Sequence, residues 1–151
     1  MALLLIALGV GTFLLTREPS RELDAQGRTW VADFSTWHND ISRPLGRAVA
    51  TTGGSGAEGL SAQQVKLLSA CTQSLAQLGS QPGILDAVAE DANAACGEIE
   101  FALSVDAKYG GSGRATTWDH LRRAERLLAV AKTNLREYAL DERRASPAVQ
   151  S

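Results

Sequence analysis

The 151-residue sequence has few of the residues from which catalytic and metal sites are usually built, with two histidines, two cysteines and one methionine. Neither His38 nor His120 has a carboxylate three or four residues away, so neither completes a metal-binding or general-base pattern on a helix. We expect both on the exposed surface, and a haem held between them is the alternative. The sequence also lacks C-x-x-C, zinc-ligand spacing, a nucleophile elbow and a phosphate-binding loop. It therefore predicts a protein that is not an enzyme and carries no cofactor.

The sequence also lacks a large excess of either positive or negative charge. The formal net charge is −2 and the pI is near 5.7. Because nucleic-acid-binding proteins usually carry a clear excess of basic residues, we expect no nucleic-acid partner. Arg strongly outnumbers Lys and Ala is abundant, a bias typical of proteins from bacteria with GC-rich genomes.

One long hydrophobic run is present. Residues 1–16 contain no charged side chain, and Arg17 follows at once. A membrane-spanning helix needs about 20 apolar residues, so this run is a few residues short. A cleaved signal peptide usually begins with basic residues, which are missing here. We expect a signal-anchor helix that residues further upstream complete. A cleaved signal segment and a buried core helix are the alternatives.

The orientation of that anchor depends on two conflicting signals. Arginines on its C-terminal side, at positions 17, 21 and 28, favour a cytoplasmic domain. Cys71 and Cys96 instead lie at apolar positions of two helices that a short turn would fold together. This spacing predicts an interhelical disulfide worth about 2–4 kcal/mol in an oxidising compartment. Two buried free thiols are the alternative. We therefore predict a single-pass protein of the cell membrane whose domain lies outside the cytoplasm.

Strand patterns are absent, and four apolar stripes at helical spacing predict four helices. They cover residues 26–50, residues 61–79, residues 84–108, and a segment from a cap at Thr116 or Thr117 to about residue 143. Short connections favour an all-α, up-and-down antiparallel four-helix bundle. Pro44 predicts a kink or break near Ser42 and Arg43. The predicted organisation is a hydrophobic anchor or signal segment (1–17), a linker (18–25), the helical bundle (26–143) and a flexible tail (144–151).

Two sets of residues are candidate functional surfaces. Four aromatic residues could line an apolar ligand pocket, although aromatic stripes at helical spacing are usually core; they are Trp30, Phe34, Trp37 and Trp118. The third helix is rich in acids and the fourth in arginines. Ordinary solvent-exposed helix faces would account for this charge pattern. The more specific hypothesis is a partner-docking face, and its residues would be Arg122, Arg126, Arg136, Asp86 and Glu90.

The functional prediction follows from location and architecture. We expect a membrane-tethered, extracytoplasmic helical interaction module of a bacterial cell envelope that is not catalytic. It would serve as a scaffold, an accessory subunit or a sensor input domain. Its partners would be the membrane, through residues 1–16, and a protein of unknown identity. The first alternative is a helical bundle that binds a ligand or cofactor. The second is a phage lysis protein of the spanin type, although the Gly-rich loops fit that poorly.

Overall fold

The computed structural model describes residues 23–53 and 59–145, which form a helical bundle without strands. Three long helices dominate it, and two short helices and two 3-10 turns connect them. The helices are α1 (Ala25–Thr52), α2 (Ala62–Ser69), α3 (Cys71–Ala76), α4 (Asp86–Tyr109) and α5 (Arg114–Ala145). The predicted anchor, most of the linker and the last six tail residues lie outside the described residues. Within the described ranges, no helix is both long and apolar enough to cross a bilayer.

Helix α1 begins where the sequence predicts and continues through its proline. The Asp24 side chain accepts a hydrogen bond of 2.7 Å from the backbone N–H of Gly27, which satisfies one donor of the first turn. The helix is continuous across Pro44, so of the predicted kink or break the break is wrong, and the kink stays a prediction. Ile41 and Leu45 are both buried in the core on either side of the proline. Their packing offsets the missing backbone hydrogen bond.

The second predicted helix is two short helices rather than one. The predicted capping box at Ser61 and Gln64 is confirmed, with both reciprocal hydrogen bonds formed. A turn at Ala70 then separates α2 from α3. The chain leaves this segment through Gly79, whose φ of +76° lies in the left-handed region that glycine adopts without strain.

The last two long helices are joined tightly. A 3-10 turn, Gly110–Gly113, connects α4 to α5. The predicted cap at Thr116 or Thr117 is wrong, because α5 already begins at Arg114. Thr117 is fully buried inside the helix, where its hydroxyl donates to the carbonyl oxygen of Gly113 at 3.2 Å. A threonine can therefore satisfy its hydroxyl locally without marking a helix start.

One hydrophobic core joins all the helices. Helix α5 packs against both α4 and α1, while α2 and α3 pack against α1 and α4 on the other side. The largest fully buried side chains come from each long helix, as with Phe34, Ile99 and Leu128. At roughly 25 cal/mol per Å² of apolar area, this shared core is the main source of stability.

Candidate functional site: the α4–α5 face

The two cysteines meet in the core. The sulfur atoms of Cys71 and Cys96 lie 2.10 Å apart and their Cα atoms 5.4 Å apart, which confirms the predicted pair at disulfide distance. Cys71 is 0% exposed and Cys96 is 1% exposed. Because neither sulfur reaches solvent, this pair links α3 to α4 structurally and offers no surface for redox chemistry.

The four aromatic residues of the predicted pocket do not come together. Trp30 stacks on Phe34 with ring centroids 5.0 Å apart, and Phe34 contacts Trp37 at 5.3 Å. All three rings are buried in the core. Trp118 lies against Gly53 at the other end of α1, about 35 Å along the helix from Trp30. The first three aromatic side chains therefore pack the core, and Trp118 belongs to a separate contact.

The predicted docking residues also separate. The Arg122 guanidinium lies 5.3 Å from the centre of the Trp118 ring, and it pairs with Glu125 at 3.7 Å. Arg136 is exposed and close enough to His38 to affect its pKa, which places it toward α1. The acids Asp86 and Glu90 are exposed near the start of α4. Arg126 instead lines a surface pocket between α4 and α5.

That pocket is the centre of the strongest candidate surface. It has a volume of about 270 Å³ and contains side chains from both helices: Glu98, Arg123, Arg126, Leu127 and Val130. Ala94 lies one helical turn before Glu98 on α4 and is exposed. His120 contacts Glu98 and packs against the Phe101 ring. We call these eight residues the α4–α5 face. Of these eight, only Arg126 is among the docking residues that the sequence predicts.

Two large apolar side chains are exposed on this face. Phe101 is 50% exposed and Val130 is 46% exposed, whereas most large apolar residues of the bundle are buried. On α5 the positions Arg123, Leu127 and Val130 follow spacings of four and three, so they form a second stripe beside the core stripe. An apolar centre with a charged edge is the composition typical of a protein–protein contact surface.

A cluster of three side chains fixes one end of the face. His120 Nδ1 contacts a carboxylate oxygen of Glu98, 22 residues away on α4. The Phe101 ring packs on the imidazole with centroids 4.3 Å apart. These contacts hold the Phe101 ring in place beside solvent, so the exposed ring is positioned rather than free to collapse onto the bundle.

The arginines of the face share its pocket with Glu98 but are not paired with it. Within the described residues, Arg123 and Arg126 form no ion pair, while Glu98 is already engaged by His120. Both arginines are exposed. An unpaired guanidinium keeps its five donors available to a planar carboxylate from another molecule.

The other histidine is buried, which corrects the expectation that it lies on the surface. His38 is 6% exposed, and its Nε2 lies 3.0 Å from the carbonyl oxygen of Leu128. Since a carbonyl can only accept, Nε2 carries the proton and donates it. Burial lowers the pKa of His38 below its ordinary value of 6.5, and the nearby cations Lys132 and Arg136 lower it further. The hydrogen bond to Leu128 opposes these effects.

A metal or haem site is not supported by these positions. His38 lies on the α1–α5 seam and His120 on the α4–α5 face, so the two imidazoles do not converge on one ligand. Within the described residues, no group of three or more His, Cys, Asp or Glu side chains is placed to hold a metal ion.

Comparisons with protein-family models, curated proteins and solved structures find no match to this chain.

Proposed function

We propose that this protein is a membrane-tethered, extracytoplasmic helical interaction module of a bacterial cell envelope, acting without catalysis as a scaffold, accessory subunit or sensor input. The observation that carries the proposal is the α4–α5 face, where Phe101 and Val130 are exposed and where Arg123 and Arg126 form no ion pair with any residue that the structure describes. Aromatic and arginine side chains are the residues most often responsible for binding energy at protein interfaces.

The location outside the cytoplasm is supported by two features taken together. Residues 1–16 carry no charge and have the composition of an export or anchor segment. Cys71 and Cys96 lie at disulfide distance in the core, and disulfides persist in oxidising compartments. The arginines after the hydrophobic run favour the opposite orientation. We give the cysteine pair more weight than this charge bias.

The arrangement of the helices suits a rigid docking domain. We infer that α2 and α3 together take the place of a fourth helix, so that the whole forms an up-and-down four-helix bundle. Support comes from their packing against α1 and α4, on the side opposite α5. In such a bundle, α4 and α5 hold their outward side chains in fixed positions, which reduces the ordering cost of binding.

Topology is tested by fusing alkaline phosphatase, which is active only when exported, to the C-terminus. We expect an active fusion, and a cytoplasmic reporter fused at the same point should be inactive. The reverse pattern would place the domain in the cytoplasm and overturn the proposed location.

Docking is tested by placing a photo-crosslinking amino acid at Val130 and, as the matched control, at Thr36. Both positions are exposed on long helices, but Thr36 lies on the polar side of α1. In intact cells, Val130 should give a discrete crosslinked adduct and Thr36 should not. If neither position gives an adduct, the α4–α5 face is not a docking surface.

A further inference from the structure

We propose that the partner of the α4–α5 face is a second copy of this chain, related by a two-fold axis parallel to the bundle. This inference rests on the proposed function, because it names the partner for the same face. It places α4 of each copy against α5 of the other, as in an isologous dimer.

Charge complementarity carries the argument. At the pocket, α4 contributes the carboxylate of Glu98, of which His120 Nδ1 contacts one oxygen, while α5 contributes Arg123 and Arg126. When the two-fold axis runs along the bundle, the acidic helix of one copy faces the basic helix of its partner at both contacts. One surface that is acidic on one helix and basic on the next is therefore complementary to itself.

The heights of these residues along the bundle match. Helices α4 and α5 are antiparallel, because Glu98 contacts His120 while Asp91 accepts a hydrogen bond of 3.1 Å from Asn134. A two-fold axis parallel to the helices leaves height unchanged, so the pairing across the dimer follows the same register. The two contacts lie 7 residues apart on α4, about 10.5 Å, and 14 residues apart on α5, about 21 Å. With the midpoints of these two segments aligned, Arg123 comes level with Glu98 on the partner's α4, and Arg126 lies within about 4 Å of that height.

The shape of the face fits the same pairing. Leu127 lies midway between positions 120 and 134, and Ala94 lies between Asp91 and Glu98 on α4. Ala94 is exposed, so the partner's Leu127 and Val130 would pack on a small side chain instead of a bulky one. Large side chains fitted over small ones allow two helix pairs to approach closely.

The orientation agrees with a tether at one end. A two-fold axis parallel to the helices keeps the first residues of both α1 helices on the same side. Two copies joined in this way can both be anchored in one membrane through residues 1–16. A perpendicular axis would point the two anchors in opposite directions.

The α4–α5 face is small, and its area limits the affinity expected for the dimer. Between positions 120 and 134 it runs about 21 Å, and two helices span about 20 Å, so each copy covers roughly 400 Å². Stable complexes usually bury about 800 Å² per partner, so we expect a weak dimer. The experiment therefore uses the full chain in its membrane, where copies are concentrated.

The first test is a crosslink between copies. The variant Val130→Cys is expressed as the full chain, and membranes are treated with a short bis-maleimide. Val130 is half-exposed, so the substitution should leave the fold intact, and the buried native cysteines should not react. We expect a covalent dimer with Val130→Cys and none with the control Thr36→Cys, which lies on the exposed side of α1.

The second test swaps the charges in a chain that keeps Val130→Cys. Variant A carries Arg123→Glu and Arg126→Glu, and variant B carries Glu98→Lys. Each variant alone places like charges opposite each other at the contact, so dimer yield should fall about tenfold. Coexpression of A with B restores opposite charges at both contacts and should restore the crosslink, which also proves that both variants fold.

Each outcome decides between the two proposals. A Val130→Cys dimer with loss in A and B and recovery in the mixture supports the second copy. No covalent dimer, or a dimer indifferent to the charge swaps, overturns it. If photo-crosslinking at Val130 captures only a different protein, the proposed function stands and this inference fails. If Val130 gives no adduct of any kind, both fail.

Discussion

Removal of the Cys71–Cys96 link is the perturbation whose effect the structure defines best. The two positions are 25 residues apart in sequence and both are buried. A crosslink stabilises mainly by restricting the unfolded chain, and the loop-closure entropy for about 25 residues is worth about 3.5 kcal/mol at 25 °C. The double variant Cys71→Ala, Cys96→Ala should therefore lose about this much free energy of unfolding.

The assay is urea denaturation followed by circular dichroism of the full chain in a mild detergent. The parent protein is measured with and without reductant, and the double alanine variant is measured beside it. Because both sulfurs are shielded, reductant added to the folded protein should act slowly, through unfolding. Reductant added during unfolding should lower the midpoint to nearly that of the alanine variant.

The comparison also separates crosslinking from packing. If reduced parent and alanine variant coincide, the loss comes from the crosslink. If the reduced parent is as stable as the oxidised protein, the entropic reasoning is wrong. Two free thiols in protein recovered from the envelope would in addition remove the main support for an oxidising location.

Three further predictions concern the core and the helix seams. Trp37→Ala should lower the free energy of unfolding by about 3–5 kcal/mol. Trp37→Phe should lower it by about 1 kcal/mol, because it removes the 3.0 Å hydrogen bond to Ser74. A negligible loss for Trp37→Ala in urea denaturation would place the ring outside the core. Gly53→Ala should destabilise the protein by about 1–3 kcal/mol, because a Cβ there overlaps the Trp118 indole. Gly97→Ala should stabilise it by about 0.5–1 kcal/mol, because a Cβ there meets nothing within 4 Å. Thermal melts in which both variants shift stability in the same direction would contradict this pair of predictions. Burial lowers the pKa of His38 below 6.5 in the folded protein, so the unfolded state binds more protons just below that pH. The stabilising contribution of His38 is therefore complete above about pH 6.5 and falls as the pH drops below that value. His38→Gln should flatten this pH dependence in denaturation curves, and an unchanged slope would refute the assignment to His38.

The core stripes could be predicted because each depends on spacing within a single segment. Trp30, Phe34 and Trp37 recur on one side of α1 and are all buried. The capping box at Ser61 and the cysteine pair follow equally local rules. The break at Pro44 was wrong because tertiary packing on both sides of the proline holds the helix together, and a local rule contains no term for that packing.

The α4–α5 face could not be predicted because it depends on which helices become neighbours. The carboxylate that meets His120 comes from α4, 22 residues earlier, rather than from the same helix turn. The predicted surface exposure of His38 was wrong for the same reason, since its partner is the backbone of Leu128, 90 residues away. A search for acids and bases at matching heights of antiparallel helices would have found the first contact. No sequence pattern marks a backbone carbonyl as a partner.

The small area of the α4–α5 face is consistent with a tethered protein. A face of roughly 400 Å² per copy gives little affinity between molecules in dilute solution, since association first has to offset the loss of translational and rotational freedom. Anchoring both copies in one membrane removes part of that cost and raises their effective concentration. Charged contacts at Arg123 and Arg126 then favour the correct partner and orientation more than they add to affinity. On this reasoning, the anchor proposed at residues 1–16 and the proposed contact between α4–α5 faces depend on each other. A chain that lacks the anchor should therefore lose the Val130→Cys crosslink even though the bundle itself remains folded.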